Sequence, residues 1–191
     1  MYLQEILEVS IGLVFLWLVI SVATMSLQEW LSNLLNARGK EMEKTITQQN
    51  WYLESDAIPT LQTLRDHGYR LGMISNTSDD KNVQQMVDRW ELRPFFETIV
   101  TSAGVGFRKP DERIFRPALN HFGVPPEQVA MVGDSLEADI LGANLSGIYS
   151  IWITRRVSLP GEGVLTIQPQ AVIPALDLIP GLLTDIENTV P

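Results

Sequence analysis

Three short polar stretches contain the residues whose types and spacing could do chemistry. The first reads "ISNTSDD" and places Ser75 and Asn76 at the end of an apolar run. A hydroxyl group and backbone amides at such a point can bind a phosphate oxygen. Capping of the following helix by Ser75, Asn76 or Thr77 is the competing interpretation, because these residue types are the preferred N-caps.

The second stretch, "FRKPDERIF", places Lys109 before a proline and ahead of a predicted helix. A lysine held there can neutralise charge on a transferring phosphoryl group. An isolated lysine in a loop is ordinarily solvated, and the neighbouring Arg108 is an equally basic candidate on local grounds.

The third stretch is "MVGDSLEADILGANLSG", which covers residues 131–147. Gly133 permits a tight turn, Asp134 follows an apolar strand, and Asp139 comes five positions later. Two carboxylates at such a place can share Mg²⁺, which keeps several waters and needs one or two protein carboxylates. Helix capping and a favourable interaction with the helix dipole are the alternative roles for these side chains.

Strands and helices are predicted to alternate through the part of the chain that contains these stretches. The predicted strands read "YRLGMIS", "FETIVTS", "QVAMVGD", "YSIWITR" and "AVI", and the predicted helices read "IPTLQTLRDHG", "DDKNVQQMVDRW", "ERIFRPALNHFG", "SLEADILGANLSG" and "IPGLLTDI". This alternation predicts an α/β fold with a Rossmann-like parallel sheet and helices on both faces. In such a fold ligands bind beyond the carboxyl ends of the strands, where all three stretches are expected.

The overall composition excludes several classes of function. The net charge is −9, so we expect no nucleic-acid partner, because phosphate backbones are bound by clustered lysine and arginine. The chain has no cysteine, which excludes disulfides, thiolate metal sites and cysteine nucleophiles.

The N-terminal part differs from the rest of the chain. Between Glu8 and Glu29 lie 20 residues without a charge, long enough to cross a bilayer as a helix. A membrane anchor is the expected role, with the basic residues after the run placing the following domain in the cytoplasm. A buried helix or strand of the soluble domain is the alternative. A polar connector follows, so we divide the chain into an anchor with its connector over 1–50 and an α/β domain over 51–191.

The three polar stretches, in this order, resemble the second, third and fourth motifs of the haloacid dehalogenase-like (HAD) hydrolases. The resemblance covers roughly residues 51–186. It implies a Mg²⁺-dependent phosphohydrolase of small phosphorylated molecules. Ser75 and Asn76 would bind the phosphate, Lys109 would stabilise the transferring group, and Asp134 and Asp139 would hold the metal.

The chain lacks the first motif of that family, an apolar strand that ends in Asp-x-Asp and supplies the nucleophile. The uncharged N-terminal run stands in its place, and the family's core is therefore expected to be incomplete, preceded by an apolar helix. The sequence leaves three alternatives for the central strand position. Part of the run fills it as a strand, the two neighbouring strands close up, or an unrelated membrane segment is fused to an incomplete domain that would be unstable or need a partner.

Two functions from different classes follow. The first is phosphate-ester hydrolysis, impaired by the missing nucleophile. The second is a catalytically inactive, membrane-tethered pseudoenzyme or binding module that retains affinity for phosphate or metal.

Overall fold

The computed structural model describes residues 15–18, 53–155 and 166–189. Its strands are β1 (Phe15–Leu18), β2 (Arg70–Ser75), β3 (Thr98–Thr101), β4 (Val129–Gly133), β5 (Tyr149–Ile153) and β6 (Ala171–Ile173). They form one sheet in the order β3-β2-β1-β4-β5-β6, and every neighbouring pair is parallel. The predicted α/β class with a parallel sheet is confirmed.

Within the described part of the chain, six α-helices connect or follow these strands. They are α1 (Ala57–Asp66), α2 (Asp80–Arg89), α3 (Ser102–Val105), α4 (Arg116–Phe122), α5 (Leu141–Leu145) and α6 (Ile179–Thr189). A π-helical turn, Leu136–Ile140, precedes α5, so the single helix predicted there is divided in two. The stretch predicted as a loop after β3 begins with the short α3, which ends at Gly106 in the left-handed conformation.

The centre of the sheet is occupied by β1. Its residue Leu16 is in register with Leu71 of β2 and with Ala130 of β4. Of the three alternatives for the central position, the structure therefore has the first, a strand formed by part of the apolar run. The backbone groups that face β1 from both neighbours are paired, which removes the cost of two buried strand edges.

The predicted apolar helix does not pass through these four residues. The rest of the apolar run and the polar connector lie outside the described residues, so the membrane anchor and the boundary near residue 50 stay predictions. Within residues 15–18, 53–155 and 166–189, no helix combines the length and the apolar character needed to cross a bilayer.

Apolar side chains cover both faces of the sheet. Leu71 and Met73 face α1, α2 and α6, whereas Ile74 and Met131 face α4 and α5. All five residues of β4 are buried, as expected for an inner strand of a sheet that is covered on both faces. The strands therefore form a rigid base whose carboxyl ends carry the polar stretches.

Candidate functional site

The three polar stretches meet at the carboxyl edge of the sheet. Ser75 ends β2, and Asp134 directly follows the last residue of β4. Lys109 reaches the same edge from the loop after α3, where its ammonium Nζ donates to the carbonyl of Ile74 in β2, at 2.9 Å. The parallel order of the strands thus brings residues 75, 109 and 134 to one edge, as predicted.

A buried ion pair lies at the centre of this edge. Lys109 Nζ is 2.7 Å from Asp139 Oδ1, and each side chain is only 2% exposed. Among the described residues, Asp139 Oδ1 has no hydrogen-bond partner, so the lysine ammonium provides its compensation. An ammonium carries three donor hydrogens. Among the described residues, the ammonium contacts the Asp139 carboxylate and the Ile74 carbonyl.

Asp139 reaches the lysine because the chain turns tightly after β4. The Ser135 carbonyl accepts hydrogen bonds from Asp139 N at 2.8 Å and from Ile140 N at 3.2 Å, the second being the bond of a π-helical turn. A Cβ atom on Gly133 would lie 2.3 Å from Asp139 Cβ and 2.5 Å from its Oδ2. Glycine at 133 is therefore required for the Asp139 side chain to pack against the strand end.

The side-chain amide of Asn76 is engaged with the backbone of Lys109. Asn76 Nδ2 donates to the Lys109 carbonyl at 3.0 Å, and Asn76 Oδ1 accepts from Lys109 N at 2.8 Å. This two-point contact fixes the lysine loop against the end of β2. In this arrangement the Asn76 amide holds the lysine in place, whereas the sequence suggested that it contacts phosphate directly.

Ser102 forms a similar clamp on the loop after β2. Its buried hydroxyl accepts from Thr77 N and donates to the Thr77 carbonyl, both at 2.8 Å. Both backbone polar groups of Thr77 are therefore hydrogen-bonded to Ser102, the first residue of α3. Sequence reasoning missed Ser102, because a serine that follows a strand has no distinguishing pattern.

Asp134 lies half-buried directly after β4, and its backbone contacts β5. The indole Nε1 of Trp152 donates to the Asp134 carbonyl at 2.9 Å. Trp152 is in register with Gly133, so strand pairing places the indole next to the turn. Sequence reasoning also missed this tryptophan, which reads as an ordinary apolar strand residue.

The donor chemistry at this edge fits a Mg²⁺ ion bound by one carboxylate. Asp134 offers hard oxygen ligands, and Mg²⁺ usually keeps several waters beside one or two carboxylates. The second carboxylate of the predicted pair, Asp139, is engaged by Lys109 and by Ser135 N, which donates to its Oδ2 at 3.0 Å. No group of three His, Cys, Asp or Glu side chains suited to a metal occurs in the described part of the chain.

Comparison with known families agrees with the fold and with the motif order. Residues 19–153 match the sequence model of the family described as haloacid dehalogenase-like hydrolase. The chain therefore belongs to the haloacid dehalogenase-like hydrolases.

Curated relatives include several phosphatases. A glyceraldehyde 3-phosphate phosphatase of Methanothermobacter thermautotrophicus is 41% identical over 52% of this chain and 43% of its own length. A phosphoserine phosphatase of Thermus thermophilus is 38% identical over 54% of this chain and 41% of its own length. The mouse haloacid dehalogenase-like hydrolase domain-containing protein 3 is 34% identical over 68% of this chain and 53% of its own length. The chain thus spans about half the length of these relatives or less.

Solved structures share the fold at lower identity. A HAD phosphatase from Thermococcus onnurineus superposes with a TM-score of 0.69 at 23% identity, over 90% of this chain and 98% of its own. The HAD hydrolase YfnB from Bacillus subtilis, bound to magnesium, gives a TM-score of 0.66 at 23% identity, over 80% and 69% of the two chains. These likenesses show that the chain shares the fold of these structures.

Proposed function

We propose that this chain binds the phosphate group of a small phosphorylated molecule and hydrolyses the phosphate ester in a Mg²⁺-dependent reaction, with turnover limited by the missing nucleophile. The observation that supports this most is the buried Lys109 ammonium, held at the carboxyl edge by the Asp139 carboxylate and the Ile74 carbonyl. A cation desolvated to this degree interacts strongly with a second anion, because water no longer screens it.

The proposed roles follow from these contacts. The Ser75 hydroxyl and the Lys109 ammonium contact phosphate oxygens, and Asn76 holds the lysine loop in position for this. Asp139 is the counter-ion of the ammonium and orients it. Asp134 is the residue proposed to hold Mg²⁺, which when bound neutralises charge on the phosphate oxygens. Asp139 is assigned to the lysine because both of its oxygens are engaged within the protein.

The proposed limit on turnover rests on the amino-acid sequence that follows β1. In the family that the chain belongs to, the first motif directly follows the central strand, and β1 ends at Leu18. Residues 19–28 read "VISVATMSLQ" and include no aspartate or glutamate. This stretch therefore offers no carboxylate that could act as the nucleophile and form an aspartyl-phosphate. Direct attack of water on the phosphate ester, without a covalent intermediate, is expected to be slow.

The second candidate is a binding module that retains phosphate or metal affinity without turnover, tethered to a membrane by the N-terminal run. The same uncharged stretch favours it, because a chain that does no chemistry has no need of a carboxylate there. The two candidates share the same binding residues and differ in turnover alone. Sedimentation of the expressed chain with membranes in the absence of detergent would support the tether, and recovery in the supernatant would contradict it.

Hydrolysis of an aryl phosphate by the purified chain, with and without Mg²⁺, tests the proposal. Glyceraldehyde 3-phosphate and phosphoserine are further substrates to examine, since two of the curated relatives are named as phosphatases of these compounds. We expect slow, Mg²⁺-dependent turnover that is lost in both Asp134→Asn and Lys109→Ala. Glu97→Gln is the matched control, because its ion pair with Arg70 has the same length and lies at the opposite edge.

Calorimetric titration of inorganic phosphate separates the two candidates. Phosphate binding without measurable hydrolysis, lost in Lys109→Ala, would favour the binding module. Hydrolysis that is unaffected by both substitutions, or phosphate affinity unchanged in Lys109→Ala, would contradict the site itself.

A further inference from the structure

The peptide group between Asp134 and Ser135 is held at both ends by side chains from different elements. Its carbonyl accepts from Trp152 Nε1 at 2.9 Å, and its N–H donates to Asp139 Oδ2 at 3.0 Å. Because a peptide group is planar and trans, its C=O and N–H point in opposite directions. Contacts at both ends therefore prevent the plane from rotating about the chain.

Both contacts fix the backbone at Asp134, the point from which its side chain extends. Rotation of the peptide would change ψ of Asp134 and φ of Ser135, and would break both hydrogen bonds. On one side, the peptide N–H donates to Asp139, which also contacts Lys109. The peptide is therefore linked to the ion pair. On the other side, Trp152 links the peptide to β5, which is anchored in the sheet by its register with β4.

We propose that Trp152 is a positioning residue for the metal-binding carboxylate, acting through its indole N–H on the Asp134 carbonyl. This inference rests on the proposed function, in which Asp134 holds Mg²⁺. The tryptophan touches neither substrate nor metal in this account. It holds the backbone that carries the carboxylate, so that this part of the chain would not have to be ordered on metal binding.

The indole nitrogen is the specific feature required. Tryptophan is a donor through Nε1 alone, and phenylalanine of similar shape has no donor. In Trp152→Phe the aromatic packing is largely kept while the Asp134 carbonyl loses its partner. A hydrogen bond of this kind is typically worth about a fivefold change in an equilibrium constant. We therefore expect the Kd for Mg²⁺ to rise about fivefold.

Calorimetric titration of Mg²⁺ alone into the full chain measures this Kd. The titration is carried out on wild type and on three variants, Trp152→Phe, Trp90→Phe and Asp134→Asn. Trp90 is the matched control, because it lies at the opposite end of α2 from the site. Thermal unfolding without Mg²⁺ is measured in parallel, since a purely structural tryptophan would lower the melting temperature and leave the Mg²⁺ Kd unchanged.

The expected result is weaker Mg²⁺ binding in Trp152→Phe, wild-type affinity in Trp90→Phe and no binding in Asp134→Asn. Equal affinity in wild type and Trp152→Phe would overturn the role of Trp152 while leaving Asp134 as the metal ligand. Absence of binding in wild type would instead overturn the metal role of Asp134, and the proposed function with it.

A measurement on wild type avoids any effect of the substitution on folding. The indole N–H resonance of Trp152 is expected to shift on addition of Mg²⁺ in a ¹⁵N-correlated spectrum, while that of Trp90 stays in place. An unshifted Trp152 resonance at saturating Mg²⁺ would overturn the inference.

Discussion

Two ion pairs of the same length lie at opposite edges of the sheet. Lys109 and Asp139 are 2.7 Å apart at the carboxyl edge, and Arg70 and Glu97 are 2.7 Å apart at the amino edge. The first pair is 2% exposed on both sides, whereas the second is 28% and 39% exposed. Burial is therefore the main difference between them.

This difference separates a binding role from a structural one. A buried ion pair adds little net stability compared with an apolar pair of the same volume, because both charges lose their hydration. The Arg70 guanidinium remains partly hydrated and also lies over the Phe122 ring, 4.8 Å from its centroid. We interpret the buried pair as retained for anion binding and the exposed pair as a modest structural contact.

Removal of the lysine should give the largest effect. In Lys109→Ala the Asp139 carboxylate is left buried without its counter-charge, so we expect the free energy of unfolding to fall by about 3–5 kcal/mol. Urea denaturation at neutral pH measures it. A loss below about 1 kcal/mol, the range of exposed pairs, would show that burial does not distinguish the two edges.

The next largest effect is expected at the turn that positions Asp139. Gly133→Ala puts a Cβ atom 2.3 Å from Asp139 Cβ, and overpacking of this kind costs about 1–3 kcal/mol. Gly181→Ala in α6 is the matched control, because a Cβ there meets nothing within 4 Å. The control should be stabilised slightly, and a neutral Gly133→Ala would show that the turn can relax.

A smaller effect is expected at Asp56, which precedes α1. Asp56 Oδ2 accepts from Arg155 at 2.7 Å and from Leu176 N at 3.1 Å. We expect Asp56→Asn to lower the melting temperature by about 2–4 °C, the equivalent of roughly 1 kcal/mol in a chain of this size. An unchanged melting temperature would show that these bonds contribute nothing.

The same residue gives a pH dependence with a definite sign. Burial alone would raise the pKa of Asp56, but hydrogen bonds from Arg155 and the backbone outweigh it and hold the pKa below its usual value. The carboxylate therefore stabilises the fold above the unfolded pKa of about 4, and this contribution is lost as pH falls through the lower folded pKa. Between pH 5 and acid unfolding, Asp56→Asn should show a shallower loss of stability than wild type. Parallel curves would contradict this.

The smallest effect is expected at the amino edge. The hydrogen bond from Arg70 is the main reason that the pKa of Glu97 is lowered, and burial opposes it. The pair is partly solvated, so we expect Glu97→Gln to reduce the free energy of unfolding by about 0–1 kcal/mol and to leave phosphate binding intact. A loss as large as that of Lys109→Ala would remove the contrast between the two edges.

Much of this architecture could be predicted from the sequence, because strand and helix periodicities alternate clearly from residue 57 onward. The apolar stretches that became β2 and β4 predicted both the strands and the edge at which Ser75 and Asp134 meet. The centre of the sheet could not be predicted, because a long apolar run suits a membrane helix as well as a buried strand.

The partnership of Asp139 also escaped prediction. Its spacing from Asp134 suits a shared metal, and the π-helical turn that points it at Lys109 leaves no simple sequence pattern. Trp152 and Ser102 also gave no sequence signal, because they act on backbone groups that only the fold brings close.

The most direct test of the account is calorimetric titration of inorganic phosphate into the double variant Lys109→Met/Asp139→Asn, beside wild type and Glu97→Gln. The double variant removes both buried charges and keeps an oxygen that can accept from Ser135 N. The account predicts that it recovers most of the stability lost in Lys109→Ala and does not bind phosphate, while Glu97→Gln binds as wild type does. Phosphate binding by the double variant at wild-type affinity would contradict the central role of the buried pair.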